Sequence, residues 1–380
     1  MPALNDAVAA LCAPGATIGV CLAVLLWQGR SVFGNLIRMK QWFGAVLAAC
    51  VCVMTSGSAH AQDEAGFQEY LVTLRAQAQA QGVSRATLDA VMPTLTLNTR
   101  VIELDRAQPG ASPTTSGILN FAPYKARHVD ASRINRGRTA YQAQRFRLQR
   151  IERELGVPES IMVAIWGHET NYGSVMGNFD LPRALATLAF EGRRRELFSA
   201  EFIATLQMMD RGLPRGRLLG SWAGATGGPQ FLPSIYLRLA KDGDGDGLPD
   251  IWTSDADTLA SIGNYFANAG WRAGQPWGFA VNVPAGFDRS SITNRTLSPR
   301  CPRVFERHSA WKTMAEWRAL GVAPQTRTLP GDRVLATLLE PDGPGKTAYL
   351  LTGNYRVILD YNCSNFYALS VGLLADAVEQ

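Results

Sequence analysis

The sequence predicts a mainly helical α+β protein with a small strand-containing C-terminal part. Three observations carry that expectation. Apolar residues recur at helical spacing over a core of about residues 67–275. Beyond Trp277 short strand-like pieces take over, through about residues 276–365, before a helical stretch from Phe366 to Val378 returns the chain to the core. Glycine, proline and asparagine fall where the helical stretches stop, at Gly156, Pro158 and Asn171-Tyr172-Gly173.

Taken in order, the chain first presents an export segment, residues 1–61. Arg38-Met39-Lys40 precedes the apolar run WFGAVLAACVCVM, and Ala59-His60-Ala61 supplies an A-x-A cleavage site. Met39 is then the expected start and residues 1–38 an upstream extension, although their apolar run is long enough for a membrane span. A rival signal overlaps the first: Leu47-Ala48-Ala49-Cys50 resembles a lipobox, which would make the protein a lipoprotein anchored through Cys50. Either way the chain is expected to be exported to the periplasm, and residues 62–380 are the mature domain.

Within that domain Phe67, Tyr70, Leu71 and Leu74 share one helical face, and Ser84 can cap a second short helix ending before Pro93. Residues 94–130 read as a long connection whose dense cluster is FAPYKAR. Tyr141, Leu148, Ile151 and Leu155 then mark a helix closed by Gly156. Seven arginines lie between Arg133 and Arg153, and the bland reading puts them on its solvated face. Pro158 suits the first turn of a helix running through Ile161, Ala164 and Ile165 to Glu169. Further helices are expected at about 182–191, 196–211 and 234–240, the last after the glycine-rich SWAGATGGPQFLPS. An acidic loop from Asp242 leads to the helix LASIGNYFANAGW, and the strand candidates are FAVNVP, DRVLATLLE, TAYLLTG and YRVILDY.

Composition narrows the function. A hydrophobic fraction of 47% with 18% charged residues and nine Trp excludes disorder for most of the length. Removing Arg30, Arg38, Lys40 and Asp6 with the export segment takes the totals of 37 basic and 32 acidic residues to 34 and 31, too balanced to argue for nucleic acid. Four of the six cysteines leave with that segment. The remaining pair, Cys301 and Cys363, most simply forms one disulfide in an oxidising compartment, against two separately buried thiols as the alternative.

The chemistry centres on AIWGHETNYGSVMG. It puts one carboxylate, Glu169, at a helix end among apolar and aromatic neighbours, where desolvation raises the pKa and suits a general acid. A lone glutamate there would more often be structural. A second candidate is the loop Asp242, Asp244, Asp246, Gly247, Asp250, which matches positions one, three, five, six and nine of an EF-hand calcium loop. Its twelfth position is Thr253 rather than a bidentate acid, so an Asx-rich turn competes with a structural Ca2+ site. His128, His168 and His308 form no metal-ligand pattern.

Context settles the glutamate. The sequence resembles the lytic murein transglycosylase B family, glycoside hydrolase family 103, at YKAR (124–127), GVPESIMVAIWGHETNYGSVMG (156–177), ALATLAFEGRRRELF (184–198), GSWAGATGGPQFLPS (220–234), DGDGDGLPDIW (242–252), NYFANAGW (264–271) and YNCSNFYAL (361–369). The resemblance runs from about Phe67 to the C-terminus. It implies a lysozyme-like catalytic core, Glu169 as the single catalytic acid and base, and cleft or substrate-binding roles for Tyr124, Arg194, Arg195, Ser221, Gln230, Phe231, Tyr265, Tyr361, Asn362 and Tyr367. It implies peptidoglycan glycan strands as substrate, no required cofactor, a monomer, and a setting among cell-wall synthesis or remodelling complexes. One carboxylate suffices where the substrate's 2-acetamido group supplies the second function. The alternatives are a hydrolytic muramidase, a catalytically silent peptidoglycan-binding scaffold and, weaker, a calcium adhesin.

Overall fold

The computed structural model describes residues 63–108, 120–296, 298–326 and 329–379; the export segment with both of its signals lies outside them. Helix α1 (63–80) is followed by α2 (Arg85–Val91) and α3 (Thr99–Arg106). Ser84 caps α2 as expected, its hydroxyl accepting from the Thr87 amide at 3.1 Å. Helix α4 (Phe121–His128) and the long α5 (Ala131–Leu155) come next, and α5 ends on Gly156 in the left-handed conformation. The stretch read as a connection therefore contains two short helices, α3 and α4. Their few apolar residues each bury only one side chain of that kind, Val101 and Phe121, which left too weak a period to detect.

Helix α6 (Glu159–Thr170) is buried on all sides from Ile161 to Gly167. A helix apolar all round belongs in the middle of a fold. It packs against α5, α10 (Asp255–Asn268) and α14 (Asn365–Glu379), and this assembly forms the first core with Leu148, Leu259, Phe266, Ile358, Val371 and Leu374. A second core joins α1 and α2 to α7 (Leu181–Glu191) and α8 (Arg195–Asp210) through Phe67, Leu74, Leu88, Leu185, Phe202 and Leu206. Just before α7, β1 (Phe179–Asp180) pairs with β2 (Leu219–Gly220), which comes after α8, and α9 (Pro233–Leu239) follows.

The strand-rich part is a five-stranded antiparallel sheet in the order β4-β6-β7-β3-β5. Its strands are β3 (Gly278–Asn282), β4 (Lys312–Thr313), β5 (Ala323–Pro324), β6 (Leu335–Leu339) and β7 (Ala348–Leu351). After a turn of helix α11 (Pro302–Phe305), helix α12 (Met314–Ala319) covers one face, with Trp317 fully buried and its indole N–H on the Ala336 carbonyl at 3.0 Å. A capping box starts α12: Thr313 and Glu316 each accept the other's backbone N–H.

One expected strand is a helix. YRVILDY lies in α13 (Gly353–Tyr361), capped by the Thr352 hydroxyl on the Asn354 amide at 3.1 Å. Its β-branched residues suggested a strand, but Tyr355, Ile358 and Leu359 recur at three and four residues and all face the first core. Tertiary burial overrides local preference here. A disulfide joins Cys301 to Cys363, Cα atoms 5.5 Å apart, tying the start of α11 to the turn between α13 and α14.

Candidate active site

Glu169 stands on the last turn of α6. Asn171 and Tyr172, both with positive φ, end the helix there, and the Tyr172 hydroxyl donates to the Arg133 carbonyl at 2.9 Å. Gly167 has no side chain because the Tyr172 ring fills its place: an added Cβ would lie 2.5 Å from that ring. Burial pushes the Glu169 carboxyl up to about 7, and the hydrogen bond from Tyr367 only partly opposes this. The Tyr367 hydroxyl donates to Glu169 Oε1 from the first turns of α14. Tyr367 is itself buried, its own pKa raised well above the usual phenol value by desolvation and then by the neighbouring Glu169 charge.

The glycine-rich segment lies beside this carboxyl. Thr170 sends its hydroxyl to the Gly228 carbonyl at 3.0 Å, and Tyr361 on α13 sends its own to the Pro229 carbonyl at 2.5 Å. Gly177 meets Gly220 so closely that a Cβ would fall 2.3 Å from backbone atoms. The segment is thus held from both sides, by the end of α6 and by α13.

The residues expected to meet substrate divide into groups. Tyr124, Tyr265 and Tyr361 are partly exposed aromatic rings; Tyr265 and Tyr361 stack edge to face at 4.7 Å, and Tyr124 lies parallel to His128 at 3.9 Å. Asn362 is exposed and its side chain makes no hydrogen bond among the described residues. Phe231 is different: at 3% exposure, enclosed by Tyr265 and Tyr361, it anchors the loop rather than offering a face. Ser221 accepts from the Ala225 amide at 3.0 Å, and Gln230, at positive φ, donates to the carbonyls of Met176 and Gly227 at 3.2 and 3.0 Å. Both side chains brace the loop in this structure.

Arg194 and Arg195 are exposed at the edge of the second core, each with partners there. Arg194 pairs with Asp105 at 2.7 Å, an acid 1% exposed that also takes Arg193. Arg195 lies over the Tyr70 ring and donates to the Phe190 carbonyl. Sequence reasoning missed instead His168, the residue before Glu169, and its partner Arg133. Burial lowers the His168 pKa to about 3, and Arg133 of α5 reaches His168 Nδ1 at 3.5 Å. Adjacency to Glu169 was the available signal for His168; Arg133 was hidden among the seven arginines.

The acidic loop departs from the EF-hand register. Asp242, Asp244 and Asp257 bring carboxylate oxygens within 4.8 Å of one another, whereas Asp250 forms an ion pair with Arg217 and a hydrogen bond with Thr253. Asp246 accepts only the Leu248 amide. Asp257, fully buried, gathers the amides of Gly243, Asp244 and Asp250. Asp257, from the first turn of α10, joins Asp242 and Asp244 in this cluster, while Asp246 and Asp250 stand apart from it. The three carboxylates fit a hard cation.

Residues 66–376 match the transglycosylase SLT domain family. The chain is 32% identical, over 72% of its length and 73% of the relative's, to membrane-bound lytic murein transglycosylase B of Escherichia coli (strain K12). Among solved structures it is similar to SltB3 of Pseudomonas aeruginosa in complex with NAG-anhNAM-pentapeptide, at 39% identity and a TM-score of 0.73, covering 82% of this chain and 79% of that one. It is also similar to the Escherichia coli lytic transglycosylase Slt35 in complex with calcium, at 28% identity and a TM-score of 0.66, covering 83% and 93%. The expected lysozyme-like, mainly helical α+β fold is the fold of these relatives. This chain belongs to the transglycosylase SLT domain family and is, like these relatives, a lytic murein transglycosylase, an enzyme that acts on peptidoglycan.

Proposed function

We propose that the enzyme cleaves the MurNAc-β-1,4-GlcNAc bond without net hydrolysis, with Glu169 acting first as acid and then as base. The observation that carries this reading is the desolvated Glu169 carboxyl, with its pKa raised to about 7 and one oxygen held by Tyr367. Near neutral pH such a group is present in both protonation states, as a residue that gives and then takes one proton requires. Protonated Glu169 delivers its proton to the glycosidic oxygen, and the C1–O bond breaks as the 2-acetamido oxygen stabilises the oxocarbenium-like centre. Glu169 carboxylate then removes the proton of the C6 hydroxyl of the same muramyl ring. That oxygen bonds to C1, leaving a 1,6-anhydroMurNAc end and a free GlcNAc hydroxyl.

Tyr124, Tyr265, Tyr361 and Asn362 present the partly exposed groups to the sugars, with the apolar faces of pyranose rings on the aromatics. Peptidoglycan glycan strands are the substrate. That SltB3 is complexed with NAG-anhNAM-pentapeptide supports this assignment by likeness. Digestion of purified sacculi followed by mass spectrometry tests it, because anhydro ends are lighter than reducing muramyl ends by one water. Reducing ends alone would establish the hydrolytic muramidase instead, and intact strands the silent scaffold.

The protein acts as an exported monomer in the periplasm, within reach of wall-synthesis and remodelling complexes. Cleavage after Ala61 makes Gln62 the mature N-terminus, and intact-mass analysis of envelope protein tests that. An acylated Cys50 at the N-terminus would replace it with a membrane anchor. The chemistry as written calls on no cofactor, and the acidic loop is a structural Ca2+ site on Asp242, Asp244 and Asp257.

A further inference from the structure

We propose that Arg133 binds a carboxylate on the 3-O substituent of the muramyl ring, and so makes the enzyme read the substituent as well as the glycan. The proposal rests on the peptidoglycan reading above. Arg194 and Arg195, the arginines expected to meet such carboxylates, are exposed but already have partners, Asp105 and the Phe198 ring for Arg194 and the Tyr70 ring and Phe190 carbonyl for Arg195. Arg133 is the guanidinium that reaches His168, the residue immediately before Glu169.

Its surroundings leave it short of acceptors. Nη1 donates to His168 Nδ1 at 3.5 Å, a long bond to a neutral ring, and Nε is buried with no partner. No ion pair includes Arg133 among the described residues. The groups facing it are His168, Tyr172, Tyr124 and Asp130, with Arg136 on the next turn of α5. Asp130 is occupied as the N-cap of α5, accepting the Arg133 amide at 3.0 Å. His168, which Arg133 holds, has its ring 5.5 Å from that of Tyr367, the residue that donates to Glu169, and 6.0 Å from that of His128, on which the partly exposed Tyr124 stacks.

A partly buried guanidinium without an anion is costly, and a carboxylate is the planar, two-oxygen acceptor that satisfies it best. His168 adds a reason for the fork to stay oriented. With Nδ1 accepting from Arg133, the ring carries its proton on Nε2, which is buried without a hydrogen bond of normal geometry. The imidazole therefore cannot supply an anion and serves as a prop.

Two carboxylates have this chemistry: the free lactyl carboxylate of stem-less muramic acid and those of the peptide stem. The test uses stem-bearing and stem-free glycan strands, each with carboxylates intact or converted to amides, and reads kcat and KM for wild type and Arg133→Gln. Formation of anhydro ends by wild type on intact strands checks the parent reading separately. Amidation should raise the wild-type KM by about tenfold to a hundredfold, as loss of a charged hydrogen bond does, on the strand that carries the recognised group, with kcat unchanged. Arg133→Gln should start at the raised KM and show no further rise. The amidation arm needs no variant, so misfolding of Arg133→Gln cannot hide the answer. Wild-type KM indifferent to amidation on both strands, or a rise of equal size in Arg133→Gln, would overturn the assignment.

Discussion

Tyr367 and Glu169, 198 residues apart in the chain, meet through a single hydrogen bond from the phenol to the carboxylate Oε1. Burial raises the carboxyl to about 7 and this bond holds it below what burial alone would impose. Tyr367→Phe should therefore shift the Glu169 ionisation to still higher pH. A general acid works protonated, so on the proposed mechanism the alkaline limb of kcat/KM is the one Glu169 governs, and that limb should move to higher pH in the variant. Activity at the optimum should fall by about tenfold as the carboxyl loses its orientation. A limb unmoved by the substitution would separate Tyr367 from the proton-transfer step.

Glu169→Gln should abolish cleavage, because the amide keeps the shape and cannot titrate. In the proposed mechanism one residue serves both half-reactions, so the loss should reach about 10⁴-fold, the top of the range for acid–base assistance. Anhydromuropeptide release from sacculi at equal, folded protein concentration measures it. Retention of a tenth of the activity would assign the acid elsewhere.

The same substitution should raise stability in a particular pH window. The folded carboxyl titrates at about 7, above its ordinary value of 4.5, so the native state binds the extra proton and stability declines as pH rises from 4.5 through 7. Removing the charge should give Glu169→Gln a gain over wild type at pH 8 on the order of 1–3 kcal/mol, and little at pH 4. Denaturant melts at the two pH values decide it; equal differences at both would contradict a desolvated carboxyl.

The Cys301–Cys363 bridge spans 62 residues of sequence. Closing a loop of that length is worth about 4 kcal/mol in the chain-entropy account. Cys363→Ser should lower the melting temperature, and a reductant should do the same to wild type while leaving the variant unaffected. Because the bridge abuts Asn362, KM for glycan strands should rise as well.

Calcium should stabilise the fold by mass action, about 2.7 kcal/mol at a hundredfold excess over Kd. Thermal melts with calcium and with chelator should differ for wild type. Asp244→Ala should remove the difference, and Asp250→Asn should not, since Asp250 faces Arg217. Melts insensitive to calcium would leave Asp242, Asp244 and Asp257 as a network of turns.

What the sequence determined by itself was local. The all-apolar run before Glu169, Pro158 ahead of it and Asn171-Tyr172-Gly173 after it mark a buried helix with a carboxylate at its end, because such signals act within a turn or two of their own residues. Ser84 and Gly156 mark their helix ends for the same reason. Tertiary structure decided what depends on partners distant in the chain. YRVILDY became a helix because its buried face met α14 and the first core, and Phe231 became an anchor because Tyr265 and Tyr361 closed over it. Asp257 displaced Asp250 from the acidic cluster because Arg217, 33 residues upstream, drew Asp250 away. Arg133 was one of seven similar side chains until α5 packed on α6 and set it against His168. Charge and hydrogen-bond geometry are properties of a folded neighbourhood, and composition and spacing carry them only where that neighbourhood is contiguous in the chain.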